Sequence, residues 1–386
     1  MKITIAKPDL ENALQIVNIV VNSGGNDLST HYLFRRTEQG AEVLAYSNRT
    51  FASAPLLCRV EDDDGPDMFT AAAWRVTRWL SGVRDGALTI CLTEDNGSRN
   101  VTLRGARASI RCPTLDPSKF PFWDKGFASA EDVGSGPPAV LASVIGHAAK
   151  FTSPEDTLRP EYAQIEAREG AVWSSDQNAV SLVEIGAFAN LGIRLNTKDV
   201  SNVAKFLALQ DTQAGEVRIL QNDNAAFFVR HDGALLGAAR PPTPFPNINI
   251  RWDAEPPTKL EIPSEDIQAG ILQISAAATK DDVFVHLSLR DGVLIASMNA
   301  EGGGTSEYPI TNAIVHSPES LEEGGFTVSY QYLQSLMSTF DLDTLHLGVH
   351  RLGAGGYLSF RHVGAAPAEG VEPNTYRTII AWKIAA

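Results

Sequence analysis

Apolar positions in this chain keep two rhythms, and the two alternate in a fixed order. In Ser329–Val349, Leu333, Leu336, Met337 and Phe340 recur at i, i+3, i+4 and i+7, one stripe of an amphipathic helix. After an Asp-rich turn, Leu345, Leu347 and Val349 alternate as in a half-buried strand. The same grammar occurs twice earlier. Val76, Trp79, Leu80 and Val83 precede Leu88, Ile90 and Leu92, and Val200, Val203, Ala204 and Leu207 precede Val217 and Ile219. A period of roughly 130 residues marks internal duplication and precedes any choice of fold.

A second set of helices confirms the period. Leu10, Leu14, Val17 and Val21 stripe a helix over Pro8–Asn22, with Pro8-Asp9 suited to its first turn. Leu141, Ile145 and Ala148 stripe another, and Ile267, Ile271 and Ile274 a third. Strands are expected at Tyr32–Tyr46, Phe51–Val60, Val101–Leu103 and Ala108–Arg111 in the first copy. The second copy predicts them at Tyr162–Ala167, Ala171–Ser175, Phe227–Val229 and Ala234–Ala239. In the third they fall at Val283–Leu289, Val293–Ala300 and Tyr376–Ile384. Gly134-Ser135-Gly136-Pro137-Pro138 and Glu255-Pro256-Pro257 read as linkers, and Phe120-Pro121 has its counterpart in Phe245-Pro246. Three α+β domains follow, at 1–130, 137–254 and 258–386, each with two helices that need a sheet to cover them.

Composition narrows the function. The chain has 386 residues, 44% hydrophobic and 20% charged, an ordinary globular composition. Met1–Ile5 already alternates as a strand, no apolar run reaches spanning length, and neither a leader nor a membrane segment is expected. Cys58, Cys91 and Cys112 form neither a disulfide framework nor a zinc pattern, which fits a reducing cytoplasm. A net charge of −14 argues against ordinary tight nucleic-acid binding, which needs basic surface to release counterions.

The helices depart from that acidity. Opposite their apolar stripes lie Arg78, Lys150, Lys198 and Lys205, together with Asn12, Gln15, Ala276, Gln331 and Ser338. Glu265 is the one acid expected there, in a first turn that favours a carboxylate. Six faces that avoid carboxylates in so acidic a chain point to phosphates; solvated helix faces are the plain alternative.

At this point the chain resembles the bacterial replicative sliding clamp, the β subunit of DNA polymerase III. The resemblance rests on Met1–Ile5 leading into Asp9–Val21, Leu115–Phe122, Trp173-Ser174-Ser175-Asp176, Thr243–Ile250, Phe326–Phe340 and Tyr376–Ile380. These stretches run in order along the whole chain. The resemblance implies two chains joined head to tail in a six-domain ring, with helices lining the channel and sheets outside. It implies a protein without catalytic activity or cofactor that encircles double-stranded DNA, is loaded by an ATP-driven clamp loader and tethers a replicative polymerase. Arg75, Arg78, Lys150, Arg159, Lys198 and Lys205 are the residues expected to face phosphates.

The resemblance also implies a pocket for partner peptides between the second and third domains. Its walls would be Tyr162, Ser175, Gln177, Asn178, Ala179, Val180, Pro246, Ile250, Ile379, Ile380 and Ala381. Here the chain departs from the family, which has Gly-His-Arg-Leu where Gln177–Val180 stand and Met-Pro-Met-Arg where this chain ends on Ala381–Ala386. The resemblance therefore bears on where the pocket lies more than on what it selects.

Other chemistries find little support. Glu61–Gly65 lacks the alternating ligands and distal Glu of a calcium loop. His346 and His350 share a strand face near His362, without a carboxylate or cysteine at zinc spacing. Gly302-Gly303-Gly304-Thr305 lacks the Lys of a phosphate-binding loop. The rival reading from another class is a three-domain binding scaffold that never closes into a ring.

Overall fold

The computed structural model describes residues 1–24, 27–61, 66–95, 98–154, 158–185, 191–209, 215–276, 283–299, 304–322, 324–353, 355–364 and 373–383. Its helices are α1 (Lys7–Val17), α2 (Ala73–Gly82), α3 (Asp124–Ala128), α4 (Pro138–Ala149), α5 (Thr197–Leu207), α6 (Ser264–Ser275), α7 (Glu319–Glu322) and α8 (Tyr330–Phe340). One order recurs three times: a strand, a helix, a run of strands, a second helix and three closing strands. The six long helices are the six that the apolar stripes predict.

Local chemistry sets their ends. Pro8 and Asp9 occupy the first turn of α1, where a missing N–H and a negative charge are both favourable. The Asn196 side chain accepts the Lys198 N–H at 3.0 Å and caps α5. Asp341, at φ +47°, ends α8 in a left-handed cap. None of the described helices is long and apolar enough to cross a membrane.

The chain forms two compact units, each assembled from two stretches: Met1–Ser143 with Ile193–Pro242, and Val144–Gly192 with Thr243–Ala386. The boundary falls inside the expected second copy. The reason is that strands pair across copies as well as within them.

In the first unit Cys58–Glu61, Lys2–Ala6, Ala87–Asp95, Ser98–Arg104 and Ser109–Pro113 lie side by side in one sheet. An eight-stranded sheet runs Glu131–Gly136, Val217–Gln221, Ala225–Val229, Leu235–Ala239, Thr50–Leu56, Gly40–Tyr46, His31–Thr37, Met68–Ala72. Its middle is the pairing of Leu235 with Ser53 and Ala238 with Thr50, which joins the second copy to the first.

The second unit repeats this arrangement. Gln164–Arg168, Ala171–Ser175 and Ala179–Glu184 pair in sequence, and Ala179–Glu184 pairs with Thr375–Lys383 from the third copy. Beyond it, in order, come Phe326–Ser329, Phe284–Arg290, Val293–Asn299 and Thr305–Ile310. The core beneath gathers Ile262, Ile271, Leu287, Phe326, Leu336, Val349 and Ile380.

Several expectations need correction. Glu131–Gly136 is a strand paired with Val217–Gln221, where glycine and proline content predicts a linker. A register shift between Asp132 and Gly134, with Gly134 at φ +150°, lets the glycines bulge without leaving the sheet. Tyr32–Tyr46 is two strands with a turn between them, and Phe51–Val60 is two strands broken at Leu57, the second of which pairs with Lys2–Ala6 in the other sheet. The first helix stops at Val17, short of the expected Asn22. Helices α3 and α7 are too short to show a periodic stripe. The Glu61–Gly65 and Gly302–Thr305 readings fall largely outside the described residues, as does Ile384.

Candidate functional site

The helix face and the strand joint are built from different residues, and the helix face is the simpler. The six helices of ten or more residues carry five carboxylates: Asp9, Glu11, Asp199, Glu265 and Asp266. Four of them sit in first turns. Asp199 is buried against the Arg49 guanidinium at 3.1 Å, and Asp266 accepts the Asn312 amide at 2.8 Å. Only Glu11 and Glu265 are exposed, and Glu11 lies 3.5 Å from the Lys7 ammonium. Glu11 is an acid that the stripe argument misses, because it lies on the flank of α1.

Of the expected phosphate-facing residues, Lys198 and Lys205 are exposed on α5, seven residues apart and so on nearly one side of it. Arg78 is exposed on α2, while Arg75 is half-buried with its guanidinium 4.9 Å from the Trp74 ring centroid. Lys150 lies just past α4 and donates to Ser338 Oγ at 3.0 Å and Thr339 Oγ1 at 2.8 Å on α8. Arg159 is not on a helix. It pairs with Glu161 at 2.8 Å, and its guanidinium lies 5.0 Å from the centroid of the Tyr162 ring.

The joint in the second unit is shaped by strand alternation. Val180 stands opposite Ile379 and Ala179 opposite Ile380, and Asn178 accepts the Ala381 N–H at 2.7 Å. Val180 and Ile379 are half-buried on the outer face, whereas Ala179 and Ile380 are 1% and 0% exposed in the core. Ile380 and Ala179 thus hold the joint from inside, and Val180 and Ile379 present it outward. Ser175 is also buried; its hydroxyl accepts the Gln177 N–H at 3.1 Å. Gln177, Asn178 and Ala381 are exposed, and Tyr162, Pro246 and Ile250 half-buried.

The turn that presents them is pinned from both sides. Asp176 Oδ1 accepts the N–H groups of Asn178 at 3.0 Å and Ala179 at 2.8 Å, and Oδ2 accepts the Tyr332 hydroxyl from α8. Burial and the Asp176 carboxylate push the Tyr332 phenol well above its ordinary range. Gln177 sits at φ +80°, a conformation that favours glycine. A non-glycine residue held there carries a strain of about 1–2 kcal/mol. Gln164 Nε2 donates to the Thr243 carbonyl at 2.9 Å, and Arg168 lies 6.0 Å from the Phe245 ring centroid. Together they anchor the segment that carries Pro246 and Ile250.

Ile379 also lines a cavity of about 480 Å³ with Trp252, Pro256, His346, Ser359 and Arg377. Gly348 is required beside it. A Cβ there would meet Ser359 Oγ at 2.5 Å and Pro256 Cβ at 2.7 Å. Arg377 is held by Asp253 at 2.7 Å and Glu184 at 3.3 Å. His350 donates to or accepts from Ser359 Oγ at 2.9 Å and stacks on Tyr357, and His362 packs 4.5 Å from the Phe340 ring centroid.

The corresponding joint in the first unit is covered by the chain itself. Trp123 stacks on Phe51 at 6.1 Å and meets Phe227 edge-on at 6.2 Å, and Phe127 meets Phe227 at 5.5 Å. Arg35 grips Asp124 with two bonds of 2.8 Å, and Asn222 donates to the Gly126 carbonyl at 2.7 Å. Sequence reasoning misses this cover, whose cue is the unusual aromatic density of Phe120–Phe127.

Neither protein-family models nor curated proteins match this sequence. Solved structures do. The sliding clamp of Bacillus subtilis superposes with a TM-score of 0.79 at 16% identity over 100% of both chains. The DNA polymerase III β subunits of Pseudomonas aeruginosa and Thermotoga maritima each give 0.78 over 100% of both chains, at 14% and 12% identity. The chain therefore has the fold of the bacterial β clamps along its full length.

Proposed function

We propose that this protein is a DNA sliding clamp: three domains, 1–130, 137–254 and 258–386, pair with a second copy to close a ring around double-stranded DNA. It acts without catalysis or cofactor, in the cytoplasm, as a processivity factor. A replicative polymerase docks on it, and an ATP-driven loader opens it.

One observation carries this reading. The last strand of the second copy pairs with Thr50–Leu56 of the first, and the last strand of the third pairs with Ala179–Glu184 of the second. Each acceptor is the third strand after the copy's first helix. Applied once more, the rule calls for the last strand of a first copy, Ser109–Pro113, to pair with Thr305–Ile310. Both stand at the end of their sheets. Within one chain the rule leaves one donor and one acceptor over, which a twofold-related copy satisfies twice.

The charge distribution supports the same conclusion. Helix faces poor in carboxylates suit a channel in which DNA slides, and an outer surface of net negative charge keeps DNA from binding elsewhere. Polymerase and loader peptides would dock at Val180 and Ile379, since the equivalent joint in the first unit is filled by Trp123 and Phe127. Two or three buried apolar anchors at about 1.5–3 kcal/mol each would give micromolar affinity after association costs.

Retention on DNA tests the proposal. The wild type is expected to stay on nicked circular DNA after loading and to slide off when the circle is linearised. Lys198→Glu with Lys205→Glu should lower loading and retention at least tenfold while the dimer persists in light scattering. A monomer indifferent to DNA topology would instead favour the open scaffold.

A further inference from the structure

Helix α2 presents an aromatic ring where a clamp needs none. Trp74 is 59% exposed on it, although its neighbours Ala73 and Val76 are buried. The Arg75 guanidinium lies 4.9 Å from its ring centroid, holding the indole through a cation–π contact. Trp74 borders a groove of about 560 Å³ whose other walls include Asn18, Thr30, Thr77 and Arg78. Among the described residues, none that lines the groove carries a carboxylate, in a chain with 46 acidic residues.

The polar walls are already oriented. The Tyr32 hydroxyl donates to Asn18 Oδ1 at 2.8 Å and lies 3.1 Å from Thr77 Oγ1. Asn18 thereby spends its oxygen inward and keeps its amide N–H groups as donors. Arg78 is exposed at the same groove and fully able to pair with a phosphate. An exposed indole, an arginine and amide donors without a carboxylate form the combination that binds an unstacked base with its phosphate. Duplex DNA conceals its base faces and offers phosphates, sugars and base edges but no face to stack on, so the ring adds no stacking to sliding on a duplex.

We infer that the α1–α2 groove is a binding site for single-stranded DNA, with Trp74 stacking an unpaired base and Arg78 pairing its phosphate. The inference rests on the proposal that the helix faces meet DNA, and gives one pair of helices a preference for the unpaired strand next to a primer end.

The test uses the full-length protein and a fluorescent dT20 oligonucleotide in anisotropy titrations. Trp74→Ala is expected to weaken dT20 binding about tenfold, within the range for loss of one stacked base, and Trp74→Phe to retain most of it. Retention on nicked circular duplex should be unchanged in both. Equal dT20 binding by wild type and Trp74→Ala, or none by the wild type, would overturn the inference. So would a monomeric Trp74→Ala, because the ring would then seal a contact between copies. The double lysine variant separates the two levels. If it loses circular DNA while Trp74→Ala matches wild type on dT20, the groove assignment alone fails; if neither wild type nor variant is retained on circles, the clamp reading fails.

Discussion

At the scale of single residues, the joint in the second unit is governed by groups that chain order does not bring together. Asp176 and Tyr332 are 156 positions apart, yet their hydrogen bond ties the outer turn to α8. Sequence periodicity places each on its element and says nothing about their meeting. His147 is a second case. Its Nε2 lies 3.1 Å from Ser181 Oγ, and Nδ1 has no partner among the described residues. Phe151, Phe340 and Tyr376 pack around the ring at 5.0–5.2 Å between centroids. Burial, then the Lys150 charge and His362, push its pKa down to about 3. In the folded chain His147 is therefore neutral, whereas in the unfolded chain it takes up a proton near pH 6.5. Below that pH the unfolded state binds more protons, so stability falls as pH drops from about 6.5 toward 3, by up to about 1.4 kcal/mol per unit. Urea unfolding from pH 7.5 to 4.5 should show a shallower acid loss in His147→Gln than in the wild type. The two curves should run parallel above pH 7.

At the scale of elements, legibility divides along the strength of the periodic signal. Helices α1, α2, α4, α5, α6 and α8 bury most of each stripe and could be read directly; Leu333, Leu336 and Met337 are all buried as the spacing requires, and Phe340 is half-buried. Glu131–Gly136 could not, because its backbone pairs despite a composition that suits a linker. Of the residues expected to line a peptide pocket, Ala179, Val180, Ile379 and Ile380 meet at one strand joint. Their division into inward and outward sets depends on the register of Ala179–Glu184 against Thr375–Lys383. A one-residue slip would exchange the two faces of the joint. Adjacent positions on one strand should consequently behave in opposite ways. Ile380→Ala removes fully buried atoms and is expected to cost about 2–4 kcal/mol in urea unfolding. Ile379→Ala should cost less than about 1.5 kcal/mol and instead abolish capture of polymerase or loader peptides. Equal destabilisation by both would mean that Ile379 serves packing alone.

At the scale of the whole molecule, the proposed ring would close through two sheet ends that are kept from pairing indiscriminately. Exposed edges are aggregation hazards, and both carry charge and proline. Arg104, Arg107 and Arg111 are exposed at the Ser109–Pro113 edge, while Glu307 lies on Thr305–Ile310. Opposite charge favours one edge with the other over either with itself. Pro309 reveals how the second edge is oriented. A proline inside a ladder is tolerated where its missing N–H would face away from the paired neighbour. Residues two apart turn their amides the same way, so Thr305 and Glu307 direct their N–H groups to the free edge as well. Glu307→Pro therefore deletes an outward donor while sparing the ladder to Val293–Asn299. Glu307→Ala removes the same carboxylate, and with it the 3.0 Å bond to Arg290, but keeps the N–H. In light scattering across a dilution series, Glu307→Pro should dissociate at least tenfold more readily than Glu307→Ala, and its retention on circular DNA should fall in proportion. If the two variants dimerise alike, the contact between copies does not run through this strand, and the third application of the pairing rule is wrong.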